Sequence, residues 1–470
     1  MKMERKGICW KIILKVTGFL CVLGIVGYFF QTNNLRAESA ISKEISKEIQ
    51  KIKDAGEPTT IEELVPPDMP DGENGALVYN QAFYLLKELK GKHQAEWKYF
   101  PYEGEVKWSE VPEVQKEKVR NLLFNDPDFA RFYQLLEKAS GMKCQFLKRK
   151  DYEKGFEMLM PHLGSLRSCA RMLAARADIQ AEKGKIDNAL DDCLTCLKIS
   201  DSLSGEPILI TGLVKIAIDQ IALDRIEATI KKSDAESGKY RGLMAEIISK
   251  QNDKIIYRSL LDERVISGMV EFPQWKEKIK DEKYRNEVAG MSKSNRTAED
   301  GEKIVGAIQE NPVGFLEENE LTYFQTMGKL IAFSKLPYLE AREEAAVLEK
   351  ELSGLSAEKA ALTKLFAPAL TRTFLMEARY DAQLGNAEIA LACHLYKAKN
   401  KNYPVSLKEL SPDFLPKPLL DPFSGKEHIY QKTDKGFKIY SVGENMKDDG
   451  GQWADKPSQK WVEGDIVWEE

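Results

Sequence analysis

The sequence predicts a mainly α-helical chain with an N-terminal transmembrane helix and a small α+β module at its C-terminus. Three observations carry this. Apolar residues recur at helical spacing through most of the 470 residues. An apolar run from Val16 to Phe30 follows a basic tip. Only beyond Tyr403 does the period change to alternation, in two short stretches separated by turn residues. A chain of this length holds more than one folding unit. The expected division is 1–31 for the cytoplasmic tip and anchor, 32–335 for a helical region, 336–378 for a long helix and connector, and 379–470 for the terminal module.

The tip carries Lys2, Arg5, Lys6, Lys11 and Lys15. Counted from Ile8, with Lys11 and Lys15 snorkelling to the headgroups, the apolar segment reaches the ~20 residues that a spanning helix needs. Tyr28, Phe29 and Phe30 supply an aromatic flank at the interface. The basic end stays cytoplasmic, so the bulk of the chain is expected outside the cell (inner) membrane, in the periplasm. A cleaved signal peptide is the alternative. Gln31-Thr32-Asn33-Asn34 offers no small-x-small site, and Gly18-Phe19-Leu20 before Cys21 departs from a lipoprotein box. An uncleaved anchor is the expectation.

Isoleucines 41, 45, 49 and 52 space a helix over residues 37–53, and Thr60 with Glu63 forms a capping box. Asn74-Gly75 opens a helix with Leu77, Tyr84, Leu85 and Leu89 on one face. Residues 97–112 read as irregular and aromatic, and helices resume from Glu113 to Lys138. The clearest pair spans 164–203 and turns at Lys183-Gly184. Its small residues Ala177, Gly184 and Ala189 resemble those of a tetratricopeptide hairpin, but without a second repeat in register the pair is read as a generic helical hairpin, with a peptide-binding groove as the alternative. Helices are expected over 208–232 and 240–261, a mobile loop over 291–301, and a long charged helix over 336–365. Pro368 is expected to break or kink it before a last helix over 369–400.

Composition excludes several functions. With 43% hydrophobic and 30% charged residues the chain is a folded protein, and a net charge of −5 without a basic stripe beyond the tip argues against nucleic acid as a partner. Seven cysteines are too few for a secreted disulfide scaffold. Cys193 and Cys196 have redox or metal spacing, but no second CxxC and no nearby histidine completes a zinc set, which leaves them as small buried residues. The four histidines form no HExxH. The neighbouring acids Asp191/Asp192 and Glu343/Glu344 point in different directions on a helix. No nucleophile elbow, phosphate loop or metal triad is present, so the chain is read as non-enzymatic, with an enzyme of unassigned class in the helical region as the alternative.

The terminal module has landmarks in a fixed order. A helix ends in Ala392-Cys393-His394-Leu395-Tyr396-Lys397, and Tyr403-Pro404 leaves it. The turn Asp421-Pro422-Phe423-Ser424-Gly425 precedes two strands, 427–432 and 437–442, and a third is expected over 465–468. Between them lies Asp448-Asp449-Gly450-Gly451. This order resembles the globular end of the major pseudopilin of type II secretion. The resemblance implies a long helix packed on a small antiparallel sheet and a structural calcium ion held by Asn445, Asp448, Asp449 and Asp465, hard oxygen donors of the kind calcium takes. A backbone carbonyl near Ser441 is a further candidate ligand. The chain departs from a pseudopilin at its start, where Gly7 is followed by Ile8-Cys9 without the Gly-Phe site and its glutamate. The expected role is a membrane-anchored scaffold or interaction protein with protein partners, linked to a secretion-like envelope assembly; a true pseudopilin subunit is the remaining alternative.

Overall fold

Helices carry the chain from residue 40 to residue 400, and a three-stranded sheet closes it. The computed structural model describes residues 40–232, 238–294, 298–452 and 464–470, and the expected anchor lies outside them. Among the described residues no helix is long and apolar enough to cross a membrane.

Helix α1 (Ala40–Asp54) buries Ile45 and Ile52 against Phe324, as its isoleucine spacing requires. The Thr60/Glu63 capping box is present. In α2 (Gly75–Lys92) the buried face is Tyr79, Ala82, Leu86 and Leu89, whereas Leu77 and Tyr84 are exposed. Both sets obey a helical period. The inward one contains Ala76 and Ala82, whose small side chains admit the facing helix. The cap at Asn74 does double duty: its Oδ1 accepts from Ala76 N at 3.0 Å and from Gln145 N at 2.9 Å. Helices α3 (Glu113–Asn125) and α4 (Pro127–Ser140) meet at Asp126, which caps α4 through Asp128 N at 2.8 Å ahead of a proline at the first helical position.

The expected hairpin is α5 (Pro161–Glu182) and α6 (Ile186–Asp201), joined through Gly184 at φ +71°. Ala177, Ala189, Cys193 and Cys196 are buried in it, and both thiols are free. Helix α7 (Leu209–Ile230) packs on both members. The single helix expected over 240–261 is two, α8 (Tyr240–Gln251) and α9 (Ile255–Glu263). Asn252 turns its amide back onto Ile248 O at 2.9 Å, and Asn and Asp side chains compete with helical bonding in this way. From α9 the chain runs into a π-helical segment, Arg264–Glu271, and then α10 (Phe272–Lys278).

The expected mobile loop is helical on both sides: α11 is Glu282–Ser294 and α12 is Ala298–Glu310, with 295–297 outside the described residues. Polar composition is no bar to helix on either side, and Glu299 and Asp300 suit the first turn of α12. Helix α13 (Pro312–Phe333) is capped by Asn311. The long charged helix ends sooner than expected, as α14 (Tyr338–Gly354). Helix α15 (Thr363–Asn400) includes Pro368 without ending there. The carbonyl that Pro368 cannot serve belongs to Lys364, in the helix's first turn, where little structure lies ahead to be displaced.

Strands β1 (Ile429–Lys432), β2 (Phe437–Ser441) and β3 (Ile466–Glu469) form an antiparallel sheet in that order, with Ile429 opposite Tyr440 and Ile439 opposite Trp468. Helix α15 packs on β2 and β3 along one side and on α8 along another, so from Ala387 to Leu395 every residue is buried. An α-helix covered all round belongs to a core. The expected long helix on a small sheet is therefore present, and the core is continuous from the α5–α6 hairpin through to Phe437, Ile439 and Trp468.

Candidate functional site

Asp421 organises the terminal module. Its Oδ1 accepts from Phe423 N at 3.1 Å and Ser441 Oγ at 2.6 Å, and its Oδ2 from Ser424 Oγ at 2.8 Å and Val442 N at 3.4 Å. Gly425, at φ +68°, returns its N–H to Asp421 O at 2.8 Å. One buried carboxyl thus joins the expected turn to the end of β2, just where the acidic loop begins.

The four residues expected to hold calcium lie on that loop. Asp465, 1% exposed, accepts at Oδ2 from Gly451 N at 2.7 Å and Asp449 N at 3.1 Å. Asn445 Nδ2 donates to Asp449 Oδ2 at 3.0 Å. These contacts bring Asn445, Asp449 and Asp465 together. Asp448 is turned aside, accepting from Tyr440 OH at 2.9 Å and Gly450 N at 2.9 Å. Burial pushes the Asp465 carboxyl up, Asp449 adds to this, and the backbone N–H bonds oppose it. Neighbouring carboxyls in that situation favour a cation. The donor chemistry suits calcium, but among the described residues no three Asp, Glu, His or Cys side chains converge as a metal-holding group. Ligation by Asp448 requires its bond to Tyr440 to open.

His428 and Asn386 form a second buried pair that sequence reasoning missed. Asn386 Nδ2 donates to Ile466 O at 2.8 Å, which leaves its Oδ1 to accept from His428 Nδ1 at 2.8 Å. The network so assigns the histidine proton to Nδ1. A Cβ on Gly385 would meet His428 Nε2 at 2.6 Å, so a glycine is required for the ring to approach α15. Burial lowers the His428 pKa to about 4, against the pull of Asp421. The only sequence signal was the position of His428 at a strand start.

The third cluster ties α15 to the helical body. Lys250 Nζ, 2% exposed, donates to Leu197 O at 2.9 Å and Ser200 Oγ at 2.8 Å, and meets Asp201 at 2.8 Å and Asp219 at 3.1 Å. Tyr380 OH of α15 donates to the other oxygen of Asp219 at 2.6 Å. Burial opposes the lysine's charge, but Asp219 and Asp201 outweigh it and raise its pKa. Burial raises the pKa of Asp219. Every member is hydrogen-bonded, which suits a brace. Asp192 is likewise consumed, by Arg176 and Gln180, while Asp191 turns out to Lys239 at 2.7 Å. Glu343 and Glu344 are exposed.

Two surface hollows complete the picture. One, of about 140 Å³, lies in the module between Ile389, Leu407, Leu415 and Leu419. The other, of about 410 Å³, lies between Tyr84 and Glu88 of α2 and Arg131 and Leu135 of α4. The fold and these clusters define a helical body that carries an α+β module on a shared helix. No family model, curated protein or solved structure matches the chain.

Proposed function

We propose that the chain is a membrane-anchored extracytoplasmic scaffold or interaction protein. Its helical body presents a pseudopilin-like, calcium-stabilised module to protein partners, in a secretion-like envelope assembly. The observation that supports this reading is the long helix α15, which is core to the body and carries the sheet. That arrangement ties the module to the body through one shared helix. The acids and bases of the third cluster are engaged with one another, which also suits a supporting role.

The test is the location of the full chain. Tagged at its C-terminus and expressed in a bacterium, it should stay with the membrane through alkaline carbonate washing, and the tag should be digested when protease is added to spheroplasts. Deleting residues 8–31 should release it from the membrane. Recovery of the intact chain from the cytosol, with its tag protected, would sink the proposal. A shortened form incorporated into filaments would replace it with a true pseudopilin subunit.

A further inference from the structure

The least satisfied polar groups in the body gather where α9 passes into the π-helical segment. Asp262 is wholly buried, and neither of its oxygens has a hydrogen-bond partner. Close by in electrostatic reach are Glu206 and Tyr152. Glu206 Oε2 pairs with His162 Nε2 at 2.9 Å, but its Oε1 is bare, as is the Tyr152 hydroxyl. The next residue, Glu263, accepts from Leu209 N at the start of α7 and is pushed up to about 7 by burial.

Among the described residues no cation balances Asp262. Arg264, two residues on, gives its guanidinium to Glu57 at 2.7 Å and to Pro58 O at 3.5 Å. Lys215 of α7 serves Ser204 at 2.8 Å and Asp253. Among the other elements packed on α9, α13 contributes Tyr323, whose hydroxyl donates to Glu263 O at 2.7 Å, and Glu320, held by Lys276 at 2.8 Å. Helix α15 contributes Glu377, which accepts from Ile256 N at 3.1 Å, and Asp381, pushed up to about 7 by burial with Glu377 adding. In the π segment Glu271 accepts from Phe156 N at 2.5 Å. Among the described residues, the charged side chains around Asp262 are thus acids, or cations committed elsewhere.

An ionised carboxylate with neither a protein donor nor a cation beside it is held at a cost of several kcal/mol. A neutral acid removes that cost. π-Helical turns inside α-helices recur at functional sites. We infer that Asp262 is carried in the folded chain as a neutral acid, making the α9-to-π junction a proton-loaded element that is held most firmly in acid and opens more readily as pH rises. The junction also holds Glu57 and Pro58 through Arg264, so its loosening frees the stretch that leads back to α1. The sign follows from linkage. The unfolded aspartate gives up its proton near pH 4 while the folded one keeps it, so this contribution to stability declines as pH rises above about 4.

The experiment compares the full chain, in detergent, with Asp262→Asn and Glu263→Gln. Thermal midpoints between about pH 5 and about pH 8 should show Asp262→Asn gaining on the parent by several degrees as pH rises. At the higher pH, amide exchange in residues 255–271 should be slower in Asp262→Asn than in the parent. Infrared spectra at about pH 9, with ¹³C-carboxyl aspartate to separate Asp from Glu, should show a protonated-carboxyl band. That band should vanish in Asp262→Asn, and it is readable in the parent alone if the variant fails to fold. Parallel midpoint curves, a pH response removed only by Glu263→Gln, or no such band in the parent would overturn the inference.

Discussion

At the scale of single residues, His428 shows how a side chain becomes committed to one charge state. Its Nδ1–H is fixed on Asn386, its ring lies against Gly385, and it is 3% exposed. A folded pKa of about 4, below the ordinary histidine value of 6.5, means that the unfolded chain binds the extra proton first. The stabilising contribution is complete above about pH 6.5 and is lost as pH falls toward about 4, to an extent of about 3 kcal/mol. Chemical unfolding of the full chain and of His428→Gln across that window should therefore converge, the parent losing more stability as the solution is acidified. Equal losses in both would show that the histidine titrates normally. This sign is opposite to that of Asp262, so the two effects separate by variant and not by the shape of one curve. Neither residue was legible beforehand: a lone His and an Asp in a helix carry no pattern, and their roles come from neighbours 42 residues away in one case and 56 in the other.

At the scale of elements, the acidic loop was the most legible part of the chain and its chemistry the most open. Alternation placed β1 and β2 within a residue or two, and Asp-Pro-x-Ser-Gly announced the turn because Asp accepts locally and Gly takes positive φ. Spacing could not reveal that Asp465 would be drawn onto the N–H groups of Asp449 and Gly451. Calcium should raise the thermal midpoint of the detergent-solubilised chain, and EDTA should reverse the gain. Asp448→Ala is the cleaner probe, since it removes one oxygen donor and leaves the Asp465 bonds in place. Asp465→Ala should lower the midpoint with or without the ion, because two backbone N–H groups lose their acceptor. No calcium response in a folded, metal-free chain would leave the loop to its own hydrogen bonds, those of Asp465 and Asp448 among them. Helix limits are less legible where the sequence is polar, at 291–301, and at Pro368, where a break or a kink is expected and the helix does not end. Solvent-facing helices are polar, and a proline near a helix start displaces little.

At the scale of the whole molecule, the question is whether body and module are one cooperative unit. A sequence divided by changes of period suggests a seam near residue 379, yet the core runs through it and Tyr380, at that point, is bound to Asp219 of α7. Lys250 holds the other side of that carboxyl, and removing one partner from a buried ion pair costs about 3–5 kcal/mol because the remaining charge is stranded. Lys250→Met should accordingly destabilise the chain by about that amount, and adding Asp219→Asn should recover part of it, since the stranded charge is then gone. The decisive readout is where the loss is felt. If α15 couples the two regions, calorimetry of the parent gives one transition, and Lys250→Met lowers the midpoint followed by hydrogen exchange in β2 as much as that in α6. If the sheet keeps its own midpoint while the body melts earlier, the helix merely passes between two independent units, and the module is free to move on its support.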